Sequence, residues 1–79
     1  MADYEVAKVL DLKGLPCPMP VVKMSQQIGS VNVGQVIEVH TTDPGSLSDF
    51  PAWAKSSGQE VLGTEQGGGI IKIFVKRLK

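Results

Sequence analysis

Gly14-Leu15-Pro16-Cys17-Pro18-Met19-Pro20 holds the only cysteine of the chain and three of its five prolines. A weakly alternating apolar run, Val6 to Leu12, precedes it, and a segment of helical periodicity, Val21 to Ile28, comes after it. The thiol therefore falls where a strand hands over to a helix. Pro16 disfavours helix at Leu15, so the loop is predicted to stay extended up to the cysteine. With Cys17 as N-cap, Pro18 takes the first helical position and Pro20 the third. Neither position has an intrahelical partner for its N–H, so proline costs little there. The donors left over would belong to Met19, Val21 and Cys17, and they would face the sulfur together with the positive end of the helix dipole. Such a setting favours a thiolate or persulfide anion, because helix N-termini lower a cysteine pKa from its usual value of about 8.5. The rival reading is a buried, inert cysteine. Three prolines in five residues argue against it, since a core position has no use for them.

Working outward, the upstream run reads as a strand from Glu5 to Leu12, with Val6, Leu10 and Leu12 on one face and Lys8 an exception near the edge. Downstream, a helix is predicted from Pro18 to Ile28. Its apolar stripe would be Pro18, Val21, Val22, Ser25 and Ile28, its terminator Gly29-Ser30, and Met24 core filler. Gln35 to Thr41 alternates cleanly as a second strand, with Ile37 and Val39 inward and Glu38 and His40 on the other face. His40 reads as a strand histidine near solvent rather than a general base. Thr41-Thr42-Asp43-Pro44-Gly45 is turn chemistry, with Asp43 able to cap the next helix. Leu47, Phe50, Trp53 and Ala54 recur at helical spacing down to Gly58. Because Pro51 would break a helix interior, the expectation is a loose turn over 46–49 and a regular helix over 50–57. Trp53 belongs to the core by default. Glu60 to Glu65 and Ile70 to Arg77 read as two further strands joined through Gln66-Gly67-Gly68-Gly69. Those glycines suit a hairpin, not a phosphate loop, since a strand comes directly after them.

The order is β-α-β-α-β-β. Strands joined through a helix should run parallel and the hairpin pair antiparallel. The class is therefore α+β: a two-layer α/β sandwich with a mixed four-stranded sheet, two helices on one face and the other face wet. The 79 residues are expected to form a single domain, 1–79. No apolar run reaches membrane-spanning length, and Met1 to Glu5 lack the features of a signal peptide. Eight basic residues balance eight acidic ones, which argues against a nucleic-acid surface. One cysteine and one histidine build neither a disulfide nor a metal cage, so no metal and no cofactor are expected. A lone free thiol points to a reducing compartment, the cytoplasm.

Leu10-Asp11-Leu12-Lys13-Gly14-Leu15-Pro16-Cys17-Pro18-Met19-Pro20, together with Thr42-Asp43-Pro44, Asp49-Phe50-Pro51-Ala52-Trp53 and the glycine-rich turn before the last strand, resembles the TusA (SirA-like) sulfur-carrier family over nearly the whole chain. The resemblance implies the same sandwich with strand order 1-2-4-3. It also implies relay of sulfane sulfur as a persulfide on Cys17, from a cysteine desulfurase, rhodanese-type or DsrE-like protein to an acceptor protein. The relay would serve tRNA thiolation, cofactor synthesis or sulfur metabolism, turning over only with partner proteins and carried by a monomer. Some relatives have a second cysteine where this chain has Ala54, so only a single-thiol relay is expected. Gly14, Pro18, Met19 and Pro20 would shape the thiol's environment. Lys13 and Lys23 are candidates to support a persulfide anion, against the plainer reading of solvated lysines. Leu15 and Met19 match no inward stripe and are expected as an exposed apolar collar for partner docking. Two alternatives stand beside the carrier: a thiol-based redox or selenium-handling regulator, and a small RNA- or protein-binding module without chemistry.

Overall fold

Ile71, Ile73 and Val75 recur at every second position, with Lys72, Phe74 and Lys76 turned to the other face, and the strand they form is the inner spine of the sheet. The computed structural model describes residues 6–16 and 19–79. In chain order these form β1 (Val6–Asp11), α1 (Met19–Gln27), a 3-10 turn (Ile28–Ser30), β2 (Val36–Thr41), α2 (Ser46–Ser57), β3 (Glu60–Gly67) and β4 (Ile70–Lys76). The sheet order is β1-β2-β4-β3. β1 and β2 pair in parallel, and β4 pairs antiparallel with both β2 and β3. This is the expected α+β arrangement with the expected strand order.

Register explains the core. Ile37 faces Val75 and Val39 faces Ile73 across the β2–β4 ladder, and all four are fully buried. Met24 of α1 and Phe50 of α2 join them, with Leu10, Leu12 and Val31, in one cluster. Full burial of each such side chain contributes about 1.5–3 kcal/mol relative to exposure. Both helices thus cover the same sheet face. The opposite face is less wet than expected: Val36 and Phe74 lie on it, in register with Lys76 and Glu38, and both are buried.

Three local expectations change. On α1 the inward residues are Pro20, Val21 and Met24, joined by Ile28 of the 3-10 turn, whereas Val22 and Ser25 are exposed. Met24, the expected core filler, is fully buried, and the helix takes the phase that seats this long side chain and leaves Ser25 outside. Pro18, the first residue of the expected stripe, lies outside the described residues. α2 is continuous through Pro51. Ser46, Phe50 and Ala54 are buried at four-residue spacing on both sides of the proline, and Pro51 itself is exposed. The hydrogen bond it cannot make is given up on the water side, while the buried face holds the helix together. The hairpin loop is also tighter than expected. Only Gly68 and Gly69 have left-handed φ, 60° and 78°, which is the two-residue type I′ pattern. β3 accordingly runs on to Gly67.

Lys8 has a structural use. It is half-buried on the helix-facing side of an edge strand, and its Nζ donates to Gln27 Oε1 at 2.7 Å and Ser30 Oγ at 3.1 Å. Its stem covers apolar surface while its charge sits at the C-terminal end of α1, where the dipole favours a cation.

Candidate functional site

The parallel strands β1 and β2 end side by side, and the loop from Leu12 into α1 starts there. The ladder continues one residue past β1, with the Leu12 N–H donating to the His40 carbonyl at 2.7 Å. A turn comes at once: Leu15 N–H donates to the Leu12 carbonyl at 3.3 Å, with Gly14 at φ 81°. That value matches the third position of a type II turn, which a side chain would strain. Lys13 precedes it, its N–H donating to Asp11 Oδ1 at 3.2 Å. At the head of the helix, the Met19 N–H donates to the Pro16 carbonyl at 2.8 Å. Cys17 and Pro18, between those two residues in sequence, lie outside the described residues.

The expected site residues divide. The Met19 amide, expected to be free for an anion, is already taken by the Pro16 carbonyl. Pro20 is fully buried and acts as a core plug at the head of α1. Leu15 is half-buried and packs against the core cluster, so it anchors the loop and is not freely exposed. Met19 is half-buried too. Exposed Val22 stands three residues on from Met19, which places the two on adjoining positions of one helical face. Lys13 Nζ lies 3.9 Å from Asp11 Oδ2, both side chains well exposed. Such a pair is weak, but it places a carboxylate beside the lysine's charge. Lys23 is exposed on α1, one turn beyond Met19 and on its side of the helix.

His40 stays away from this chemistry. Its ring Nε2 pairs with Glu38 Oε2 on the outer sheet face, and only its backbone carbonyl touches the loop. Asp43 does not cap α2 directly. Its Oδ1 accepts from the Gly45 N–H at 3.1 Å and its carbonyl from the Ser46 N–H at 3.0 Å, while the N-cap, Gly45, has no side-chain bond. Thr42 is the functional candidate that sequence reading missed. Its Oγ1 accepts from the Gly14 N–H at 3.0 Å, joining the Thr-Asp-Pro segment to the cysteine loop. The clue in the sequence is Lys13-Gly14: a type II turn leaves its third N–H pointing outward, in need of an acceptor. Thr42 and Pro44 also line a groove of about 450 Å³, together with Gln66, Gly67, Gly69, Ile70 and Ile71 of the hairpin.

Among the described residues, no group of His, Cys, Asp and Glu side chains could hold a metal ion. Among them, too, no helix is long and apolar enough to cross a membrane.

Known proteins resemble this chain in fold and in sequence. A solved SirA-like protein from Desulfitobacterium hafniense superposes with a TM-score of 0.73 over 91% of this chain and 99% of its own, at 23% identity. At that identity the likeness is one of fold. YrkF of Bacillus subtilis is 51% identical over 69 residues, which cover 87% of this chain but 37% of YrkF, so the chain spans little more than a third of that relative. The sulfur carrier protein TusA of Allochromatium vinosum is 38% identical over 77 residues, covering 98% of this chain and 99% of that protein. The family model for sulfurtransferase TusA matches residues 8–77, so that the cysteine loop, the Thr-Asp-Pro turn and all but the first two residues of the sheet strands fall inside it. The chain belongs to the TusA family of sulfur carriers.

Proposed function

We propose that Cys17 is the sulfur-bearing residue and that the protein relays sulfane sulfur as a persulfide between a donor and an acceptor protein. The observation that supports this best is that the only cysteine of a TusA-family chain lies between two residues, Pro16 and Met19, whose backbones are tied to each other at the entry to α1. The Cys17 thiolate attacks the terminal sulfur of the donor's persulfide. The donor's S–S bond breaks, its thiolate leaves, and a new S–S bond forms on Cys17. The sulfur keeps its oxidation level, so no outside oxidant is consumed. With no second thiol in the chain, the persulfide has no internal partner to reduce it and persists until an acceptor takes the sulfur. Donors of the cysteine desulfurase or rhodanese type meet this chemistry, and the reducing cytoplasm is the compartment that suits a lone thiol.

The test is mass spectrometry of the intact protein after incubation with a rhodanese and thiosulfate, or with a cysteine desulfurase and cysteine. The wild type should gain the mass of one sulfur atom, dithiothreitol should reverse the gain, and Cys17→Ser should abolish it with the melting curve nearly unchanged. A wild type that gains nothing from any sulfane donor would overturn the reading.

A further inference from the structure

The Thr42–Gly14 hydrogen bond has a place in the carrier's chemistry. Gly14 sits at the third position of the turn that begins the cysteine loop, with φ 81°, and that turn leaves its N–H unused. Thr42 Oγ1 takes it at 3.0 Å, across 28 residues of sequence. Among the described residues this is the only side-chain hydrogen bond reaching 12–16 from beyond β1. Thr42 itself stands on a fixed base. The Asp43 N–H donates to Oγ1 of fully buried Thr41 at 3.2 Å. The Asp43 carboxylate and carbonyl then hold Gly45 and Ser46. A turn held by these bonds thus presents one hydroxyl to the turn at Gly14.

We infer that Thr42 is a positioning residue for sulfur transfer: its hydroxyl fixes the swing of the loop about Gly14 and so sets where Cys17 meets a partner. Gly14 needs such a hold. It has no side chain, and space beyond its Cα is open, with nothing within 4 Å of where a Cβ would stand, so neighbouring atoms do not confine it. Both Gly14 and Thr42 are exposed. If the bond is lost, water can satisfy the N–H, and the fold barely notices. The turn, still anchored at Leu15, loses the tie that sets its direction at Gly14. The function of this bond is therefore separable from stability.

The experiment compares Thr42→Val, which keeps shape and loses the acceptor, with Thr42→Ser, which keeps the acceptor. Persulfide loading from a rhodanese with thiosulfate is followed against carrier concentration, and iodoacetamide alkylation of Cys17 against pH. Loss of one hydrogen bond's ordering should lower kcat for loading about three- to tenfold in Thr42→Val, with KM and melting temperature close to wild type. The alkylation profile should move as well, and Thr42→Ser should restore both. Thr42→Val loading and alkylating as wild type would overturn the inference, and so would a Thr42→Ser as defective as the valine. The transfer measurement rests on the carrier reading and the alkylation measurement does not. A wild type that never loads would therefore sink the carrier reading alone, and alkylation would still decide the role of Thr42.

Discussion

Pro20 and Met24 lie one turn apart on α1, and both side chains are fully buried against the sheet. A proline in the first turn forfeits no hydrogen bond, so its ring is free to serve as packing. Pro20→Ala removes buried ring carbons and also frees the unfolded chain, for a combined cost of about 1–3 kcal/mol. For a domain of this size each kcal/mol shifts the melting temperature by roughly 4–8 °C. Thermal denaturation measured by circular dichroism should show a drop of that order. An unchanged melting temperature would mean that the ring adds nothing as packing and shapes only the thiol's environment.

Lys8 should matter through its head group and not only its stem. Lys8→Met keeps most of the apolar cover and removes the donor to Gln27 and Ser30. The expected cost is about 0.5–1.5 kcal/mol, concentrated in the last turn of α1. Amide exchange should quicken there, near Gln27 to Ser30, while β2 and β4 keep their protection. Uniform loss of protection would instead point to a global role for the lysine.

The hairpin offers a comparison between two of its glycines. Gly69 has φ 78°, so Gly69→Ala should cost about 1–2 kcal/mol in left-handed strain. Gly67 has no positive φ, and open space surrounds the position of an added Cβ. Gly67→Ala should leave stability unchanged or raise it by up to about 1 kcal/mol. Urea midpoints of the two variants should separate in that order; equal midpoints would contradict the two-residue turn.

The strands are legible because period-two alternation and the glycine run each allow one reading. Ile37, Val39, Ile71, Ile73 and Val75 point where alternation sends them. The helices are harder. Nine residues of α1 carry apolar groups on more than one side, and only the depth of the Met24 site chooses the phase. Pro51 reads as a break because local chemistry weighs the lost hydrogen bond, whereas Phe50 and Ala54 supply burial that only tertiary structure reveals. At the site, the Cys-Pro-x-Pro segment announces a reactive loop. Its attachment through Thr42 spans 28 residues, a distance no local pattern reports. Leu15 reads as exposed for the same reason: the core it packs against comes from elsewhere in the chain.

Ser46 tests how the turn before α2 is held. It is 1% exposed and its Oγ has no hydrogen-bond partner; Asp43 Oδ2, three residues earlier, is also buried without one. The backbone of Ser46 already closes the turn, its N–H donating to the Asp43 carbonyl. The hydroxyl therefore brings a desolvation cost with no bond to offset it. Alanine fits the same space and is the better helix former by about half a kcal/mol. Ser46→Ala should thus stabilise the fold by about 0.5–1.5 kcal/mol, seen as a melting temperature several degrees higher. Sulfur loading should stay unchanged, because Thr42 keeps its bond to Gly14. A lower melting temperature would show instead that the hydroxyl is bonded in solution, with a buried water linking it to Asp43 the simplest arrangement, since a water needs two or more polar partners to stay.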